Sequence, residues 1–434
     1  MKNSGVEWIG KIPEDWEVKK VKHSFVRKNE KAMQENPTVL SLARSGVKER
    51  DISNNEGQLA ESYYNYNPVD IDDLLINPMD LYSGANCSIS KVKGVISPAY
   101  INLRAKKNVS PVFYDYYFKV QYWMMAFFAH GNGVSFENRW ALNNETLQNY
   151  PIVAPNFETQ QRIASYLDKK CSKIEETIQN QQQVIEKLKA YKQSLITETV
   201  TGKIKIKNGK ACGKYENYKD SGVEYLGKIP SNWNIKRLRY IGKCQNGISK
   251  GREFFGSGYP FVSYGDVYNN LVLPETVSGL IESTPEEQEN YSVTAGDIFF
   301  TRTSETIEEV GFTSVCLKTI EKATFAGFVI RVRPFTEELV PDYSKYYFSS
   351  DAHRRFFVKE MNLVTRASLS QDLLKRLPVL IPSKDEQKEI ADYLDKKCTA
   401  IDTAIEQKQN LIEKLTEYKK SLIYECVTGK KEVN

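Results

Sequence analysis

Two long stretches of the chain carry apolar residues at spacings that alternate between four and three. The stretches cover residues 167–195 and 394–422, and neither contains a glycine or a proline. An alternation of this kind, sustained over four heptads, is typical of the seam of a coiled coil. The sequence therefore predicts two long amphipathic helices, each with one apolar stripe to bury.

The signals at the ends of both stretches agree with helices. Pro155 and Pro382 precede them, and Gly202 and Gly429 follow them. The span from Glu158 to Thr199 has 42 residues, or roughly 60 Å of helix. Since neither seam can stay exposed, we expect the helices to pair as an antiparallel coiled coil with pseudo-twofold symmetry. The predicted pairing residues are Leu167, Ile174, Ile178, Ile185, Leu188, Leu195, Leu394, Ile401, Ile405, Ile412, Leu415 and Leu422.

The remainder of the chain has the pattern of globular, mixed α/β (α+β) domains. Alternating apolar residues predict strands over 96–103, 296–301 and 326–333. Aromatic-rich faces predict helices over 114–129 and 343–360. Short loops rich in Gly, Asn and Ser lie between them.

The chain is an internal duplication. Residues 4–23 and 221–240 match at ten of 20 positions with an offset of 217, and residues 150–203 and 377–430 match at 28 of 54 positions with an offset of 227. Each copy is thus a variable globular segment followed by a constant helical one. The predicted organisation is a first globular domain (1–155), a helical spacer (156–203), a basic linker (204–220), a second globular domain (221–382), a second spacer (383–430) and a tail (431–434).

Composition narrows the class of protein. The 434 residues are 41% hydrophobic and 26% charged, without an apolar run long enough to cross a membrane or a signal peptide. We therefore expect a cytoplasmic protein. The seven cysteines have no Cys-x-x-Cys spacing, which argues against both a disulfide framework and a zinc site.

The charge is unevenly distributed. The formal net charge is +5, and residues 203–219, with six lysines and one glutamate, account for all of it. The globular halves are close to neutral, so any DNA binding must use local patches. The ordinary interpretation of the basic segment is a flexible, solvated tether between the copies. The alternative is that it contacts phosphate.

No catalytic or metal site is evident. Gly5-x4-Gly10-Lys11 and Gly222-x4-Gly227-Lys228 resemble a phosphate-binding loop, but Ile and Pro follow the lysine where such a loop needs Ser or Thr and a helix. We interpret these segments as buried structural lead-ins to each domain, with Trp16 and Trp233. A nucleotide-binding enzyme that uses these loops stays open as a minor alternative, and it predicts ATP binding that is lost in Lys11→Ala and Lys228→Ala.

Several loops carry the side chains that base recognition needs, namely donors and acceptors that reach base edges, together with glycines that allow close approach. Each could equally be a solvated surface loop. The candidate DNA-binding residues in the first copy are Ser41, Arg44, Ser45, Lys48, Ser83, Asn86, Asn132, Ser135, Asn138 and Arg139. Those in the second copy are Gln245, Asn246, Ser249, Lys250, Arg252, Tyr264, Asp266, Arg302, Thr303, Ser304 and Arg366.

The whole arrangement resembles the specificity subunit of type I restriction–modification systems. The resemblance covers essentially the entire chain. It rests on Ser-Gly-Val-Glu-x-x-Gly-Lys-Ile-Pro-x-x-Trp at 4–16 and 221–233, and on the stretches that begin with Pro-x-x-x-Pro at 151–155 and 378–382. Those stretches continue through Gln160 or Gln387 and Ile-Ala-x-Tyr-Leu-Asp to Val-Thr-Gly-Lys.

The resemblance implies two target-recognition domains held apart by antiparallel helices, each domain reading one half of a bipartite, asymmetric site in double-stranded DNA. It also implies two methyltransferase subunits that use S-adenosylmethionine, and motor–nuclease subunits that use ATP and Mg. No cofactor is expected in this chain, which would be a non-catalytic subunit. The alternative from another class is a coiled-coil scaffold with two ligand-binding heads.

Overall fold

The computed structural model describes residues 1–53, 60–79, 81, 87–133, 140–304, 310–360 and 367–433. The chain divides into two compact units. Unit 1 comprises Met1–Gln181 and Gln409–Asn434, and unit 2 comprises Gln182–Lys408. Each unit thus contains one of the predicted globular domains and a part of each long helix. No helix among the described residues is long and apolar enough to span a membrane.

Unit 1 is built on a four-stranded antiparallel sheet of strand order β4-β11-β8-β9, with further two-stranded pairs. Its strands are β1 Lys2–Asn3, β2 Lys11–Ile12, β3 Glu17–Lys20, β4 Phe25–Lys28, β5 Leu40–Ala43, β6 Gly46–Glu49, β7 Asn67–Val69, β8 Leu74–Ile76, β9 Cys87–Ile89, β10 Gly94–Ile96, β11 Ile101–Ala105 and β12 Pro151–Ala154. Its helices are α1 Val21–Ser24, α2 Pro111–Trp123, α3 Ala126–Ala129 and α4 Asn144–Asn149, followed by the first part of α5 Phe157–Val200.

Unit 2 repeats this architecture with a sheet of order β18-β25-β21-β23. Its strands are β13 Ile206–Lys207, β14 Lys210–Ala211, β15 Tyr218–Asp220, β16 Lys228–Pro230, β17 Asn234–Arg237, β18 Gly242–Asn246, β19 Phe255–Val262, β20 Leu280–Ile281, β21 Ile298–Thr301, β22 Thr303–Ser304, β23 Thr313–Val315, β24 Thr324–Phe325, β25 Val329–Pro334, β26 Ala367–Ser368 and β27 Pro378–Ile381. Its helices are α6 Tyr264–Asn269, α7 Pro285–Asn290, α8 Pro341–Ser349, α9 Asp351–Glu360 and α10 Gln371–Lys375, followed by the first part of α11 Lys384–Val427; Leu238–Tyr240 and Arg252–Phe254 form 3₁₀ turns.

The mixed α/β fold and the two long helices are as predicted. In unit 1, Leu167 and Cys171 of α5 are buried in one core with Leu422 and Cys426 of α11. Glu175 of α5 forms an ion pair with Lys419 of α11 at 2.5 Å. Because residue numbers rise along one helix as they fall along the other, the paired segments run antiparallel.

The same packing occurs in unit 2 with the roles of the helices exchanged. Leu195 of α5 lies in the core with Leu394 and Cys398 of α11. Lys192 and Asp402 form an ion pair at 2.6 Å. These two residues lie 227 positions from Lys419 and Glu175 respectively, so both units use the same pair of sequence positions.

Each aromatic helix predicted as a single element is two helices. The first breaks at Met124–Met125, where Met125 has a φ of +58°, a conformation that ends a right-handed helix. The second breaks at Ser350, which has an extended ψ of 158°. Both predictions failed because apolar periodicity does not register a single residue of changed backbone conformation.

Two of the predicted strands are also divided. The segment 96–103 leaves β10 at Ile96 and enters β11 at Ile101 through a turn in which Tyr100 N donates to Ser97 O. The segment 326–333 begins with a turn, and β25 starts only at Val329. In the first case the two strands pair in different sheets, so the uninterrupted apolar pattern comes from two separate buried faces. The strand predicted over 296–301 is confirmed as β21.

Candidate nucleic-acid interface

One end of the four-stranded sheet in unit 2 gathers several predicted DNA-binding loops. The ladder pairs Thr301 at the end of β21 with Val329 at the start of β25, and Asn246 at the end of β18 with Ile330. The segments that leave or enter these strands therefore emerge at the same end. We name this end the loop edge of unit 2.

The backbone holds the loop edge together. Arg302 N donates to Phe328 O at 2.9 Å, and Leu369 N donates to Arg302 O at 2.7 Å. Thr303 pairs with Ser368 across β22 and β26. The loop after β21, the turn before β25 and the strand before α10 are thus one connected surface, and Arg302 lies at its centre.

Unit 1 has an equivalent loop edge. Leu142 N donates to Pro78 O at 2.8 Å, and Leu142 lies 227 positions before Leu369. Asn132 forms an isolated antiparallel bridge with Ala141. The sheet end after β8 is therefore joined to the segment around Asn132, as the end after β21 is joined to β26.

Part of the prediction lies outside the described residues. Ser83, Asn86, Ser135, Asn138, Arg139 and Arg366 belong to this group, and the side chain of Ser304 is not described either. Pro78 and Ala141, which are described, flank the first-copy segments on the loop edge of unit 1.

A hairpin carries the other predicted residues of unit 1. Ser41 of β5 lies opposite Lys48 of β6, and Arg44 and Ser45 are exposed at the turn. A Cβ at Gly46 would lie 3.5 Å from Ser88 Oγ in β9. Since β9 starts beside the end of β8, the turn of this hairpin lies next to the loop edge of unit 1.

Some predicted residues of unit 2 have local structural partners. Lys250 Nζ binds Glu287 at 2.7 Å, and this contact lowers the pKa of that carboxyl group. Asp266 Oδ2 accepts from the backbone and hydroxyl of Ser263, which caps α6. These two side chains therefore stabilise the loops that carry them.

Other predicted residues form a network around β18. Gln245 accepts from the buried guanidinium of Arg331 and donates to a backbone carbonyl. Burial lowers the pKa of Arg331 to about 10. Asn246 accepts from Gln371 Nε2 at 3.0 Å. By contrast, Ser249 and Arg252 are exposed, and Tyr264 stacks on Tyr268.

Two residues of the loop edge escaped the sequence prediction. Phe328 is 64% exposed, and it was included in a predicted strand because its neighbours are apolar. Gln371, the first residue of α10, lies three residues after β26 and donates to Asn246. An exposed aromatic ring beside Arg302 is the kind of group that packs against a base or a sugar in the groove. The Ala-Gly dipeptide before Phe328 is the sequence signal that could have predicted a turn here.

The opposite end of each sheet is held by a buried carboxylate. Asp297, at the start of β21, accepts from Arg333 of β25 at 2.6 Å and 2.7 Å. In unit 1, Asp73 before β8 accepts from Arg104 Nε at 2.8 Å. The neighbouring Asp70 has its pKa lowered to about 2 by hydrogen bonds from Arg104 and Lys28. These ion pairs therefore stabilise the scaffold and lie away from the loop edge.

The lead-ins to each domain are structural, as predicted. Trp16 and Trp233 are buried. In each unit the tryptophan lies against the glycine that follows a long helix, Gly429 in unit 1 and Gly202 in unit 2. Among the described residues, no group of three His, Cys, Asp or Glu side chains could hold a metal ion.

The comparison with known families decides between the open interpretations. Residues 230–415 match the model of the type I restriction modification DNA specificity domain. The second copy of this chain therefore contains a type I restriction modification DNA specificity domain. This is the domain expected from the resemblance in the repeated blocks, and a role in DNA specificity is favoured over the scaffold alternative.

Curated specificity subunits are similar to this chain over long stretches. The EcoKI specificity subunit of Escherichia coli K12 is 25% identical over 291 residues, which are 65% of this chain and 58% of that subunit. The EcoBI subunit of Escherichia coli is 22% identical over 86% of this chain and 76% of its own length. The MjaVIII subunit of Methanocaldococcus jannaschii is 22% identical over 82% and 80%.

Solved structures share the fold of this chain. A chain from a structural study of complex assembly and conformational transition of the type I R-M system aligns with a TM-score of 0.72 at 15% identity, covering 97% of this chain and all of that one. The HsdS subunit from Thermoanaerobacter tengcongensis aligns with a TM-score of 0.53 at 14% identity, over 97% and 98% of the two chains.

Proposed function

We propose that this chain is a specificity subunit that reads a bipartite, asymmetric DNA sequence, one half-site with each unit. The observation that carries the proposal is the duplicated loop edge. Leu142 and Leu369 each donate a backbone hydrogen bond to the segment that follows a central strand of the sheet. The loops beside them differ in sequence and length. Equivalent scaffolds with different loops are what two unlike half-sites require, because base edges are read by side chains and not by the framework.

We further propose that the subunit directs adenine methylation and ATP-dependent cleavage by partner subunits. The candidate partners are two methyltransferase subunits that use S-adenosylmethionine, and motor–nuclease subunits that use ATP and Mg. The near-neutral globular halves support a division of labour, because sequence-independent affinity for DNA comes from phosphate neutralisation. Tight binding should then need the methylating subunits, which would complete a clamp around the duplex.

The test is methylome sequencing of a host that carries the system, with and without this gene. We expect a methyladenine mark on a split motif, two short half-sites around a fixed gap, that disappears on deletion. An unchanged methylome, with active partner subunits present, would refute the proposal and favour the scaffold interpretation.

A domain exchange sharpens the test. Replacing residues 24–149 with the same segment of another specificity subunit should change one half-site and leave the other intact. The matched control replaces residues 241–376 and should change the other half-site only. A change of both half-sites in either exchange would contradict the assignment of one half-site to each unit.

A further inference from the structure

The basic segment between the two copies is folded. Strands β13 and β14 form a hairpin closed by Asn208 and Gly209, whose φ angles of +51° and +68° are those of a tight hairpin turn. Asn208 N donates to Glu389 of α11. The expectation of a flexible tether is therefore wrong, because an Asn-Gly turn and contacts to α11 fix the segment within unit 2.

A tyrosine anchors the rest of the segment. Tyr215 donates its hydroxyl proton to Glu386, and its ring packs edge-to-face on Trp233. Tyr218 donates to Gly202 O at 3.2 Å. The segment thus covers the junction where α5 ends and the lead-in of the second copy begins.

The folded segment presents its charge to solvent. Its exposed lysines form no ion pair with a described carboxylate; they are Lys203, Lys207, Lys210, Lys214 and Lys219. Lys205 is half-buried and lies over the ring of Tyr215. Since the backbone of the segment is held in place, these lysines form one positively charged patch on the surface of unit 2.

Three lysines from separate segments converge on one cleft. Lys203 follows α5, Lys214 follows the hairpin and Lys228 belongs to β16, and all three line an open cleft of about 670 Å³. Glu198 also lines the cleft, together with Tyr218 and apolar atoms. We name it the lysine cleft. Lys228 is the last residue of the Gly-x4-Gly-Lys motif, so this motif supplies a cation here without forming a nucleotide-binding loop.

We infer that the lysine cleft binds the phosphodiester backbone of duplex DNA, outside the base-specific contacts of unit 2; this inference rests on the proposed function. Lysines from three segments that line one cleft offer charged donors for a phosphate oxygen. Lys207, Lys210 and Lys219 extend the positive charge beyond the cleft, which fits an extended polyanion better than a single nucleotide. A backbone contact carries no sequence information and adds affinity equally on all duplexes.

The test uses the full chain assembled with its methyltransferase subunits. The variant Lys203→Gln/Lys214→Gln/Lys228→Gln removes the charges of the cleft. Affinity is measured by fluorescence anisotropy at several salt concentrations, on a duplex with the methylated motif and on one with both half-sites scrambled. We expect equal weakening on both duplexes, and a salt slope that falls by about 1 for each phosphate group that the variant no longer neutralises.

The chain offers a matched control. Lys430 lies 227 positions after Lys203, but its ammonium lies over the ring of Tyr424, 4.1 Å from the centroid. Because Lys430 is occupied within unit 1, Lys430→Gln should leave the salt slope unchanged. Urea unfolding of both variants checks that these surface substitutions leave the fold intact.

Each other result overturns the inference. An unchanged salt slope in the triple variant would exclude a phosphate contact at the cleft, and weakening on the cognate duplex alone would assign the lysines to base recognition. Dissociation of the methyltransferase subunits from the complex would identify an acidic protein surface as the occupant. Binding of a fluorescent ATP analogue that is abolished in the triple variant would identify a nucleotide site.

The same data separate this inference from the proposed function. If the cognate and scrambled duplexes bind equally but the slope falls in the triple variant, the specificity role fails and the cleft stands. If the cognate duplex is preferred but the slope is unchanged, the cleft fails and the specificity role stands.

Discussion

The glycines that follow the long helices should be among the least replaceable residues of the chain. Gly202 has a φ of +73°, and a Cβ there would lie 2.3 Å from Pro230 Cδ and 3.2 Å from the Trp233 ring. Gly429 has a φ of +70°, and its Cβ would lie 2.4 Å from Pro13 Cδ. We therefore consider Gly202→Ala and Gly429→Ala, each of which adds one methyl group at the contact between a helix end and a lead-in.

The expected loss of stability has two parts. Placing an alanine in the left-handed region costs roughly 1–2 kcal/mol. Forcing a methyl group into an occupied space costs a further 1–3 kcal/mol or so, because the carbon atoms would be well inside their usual separation of about 3.5–4.0 Å. Gly202→Ala should thus lower the free energy of unfolding of unit 2 by about 2–5 kcal/mol.

Two other glycines isolate the steric part. Gly222 has a φ of +69° and Gly5 a φ of +75°, and a Cβ at either would meet nothing within 4 Å. Gly222→Ala is the control for Gly202→Ala, and Gly5→Ala is the control for Gly429→Ala. Each control should lose only the part that comes from backbone conformation, about 1–2 kcal/mol.

The assay is hydrogen exchange followed by mass spectrometry, because a chain of two units need not unfold in one step. Gly202→Ala should raise the exchange rate of peptides around β16 and β17, and Gly429→Ala that of peptides around β2 and β3. Equal effects for Gly202→Ala and Gly222→Ala would refute the argument, since the packing against Pro230 would then contribute nothing.

Three further predictions concern protonation, the helix pair and the loop edge. Burial lowers the pKa of His353 to about 3. Because this histidine has a pKa near 6.5 in the unfolded chain, the free energy of unfolding of unit 2 should fall as the pH is lowered below 6.5, by at most about 1.4 kcal/mol per pH unit. Urea unfolding of His353→Gln should lack this pH dependence. A double-mutant cycle on Lys192 and Asp402 should give only about 0.2–1 kcal/mol, because the carboxylate is 56% exposed; coupling well above that range would show a pair shielded from solvent. Arg302→Ala should cost about 1–3 kcal/mol of binding to the cognate duplex and relax the preference for one half-site, whereas an equal loss on scrambled DNA would make Arg302 a backbone contact.

The duplication and the long helices could be predicted from sequence because their signals are local and repeated. The seam spacing predicts α5 and α11, and the repeated Trp16 and Trp233 predict buried lead-ins, all of which the structure confirms. The hairpin in the linker was missed although its signal was present. Asn208-Gly209 between short alternating runs is a strong hairpin signal, but the density of lysines favoured a solvated tether.

The scaffold of the loop edge could not be found by matching the copies at fixed offsets. Asp73 and Asp297 occupy the same place before a central strand but lie 224 residues apart, and Arg104 and Arg333 lie 229 apart. Neither separation in sequence equals the offsets of 217 and 227 between the conserved blocks, because the two copies differ by insertions. The equivalence is a property of the sheet, in which strand pairing brings each carboxylate to its arginine.

The similarity of the two helical blocks follows from the way each is used. Residues 157–181 of α5 pack in unit 1 and residues 182–200 in unit 2, whereas residues 384–408 of α11 pack in unit 2 and residues 409–427 in unit 1. The seam positions of one block therefore pack against non-equivalent positions of the other. Lys192 meets Asp402, and the equivalent Lys419 meets Glu175. A substitution in one block consequently has its compensating site in the other, so the constraint on the pair is reciprocal. The two copies differ most in the globular segments that lie between the repeated blocks.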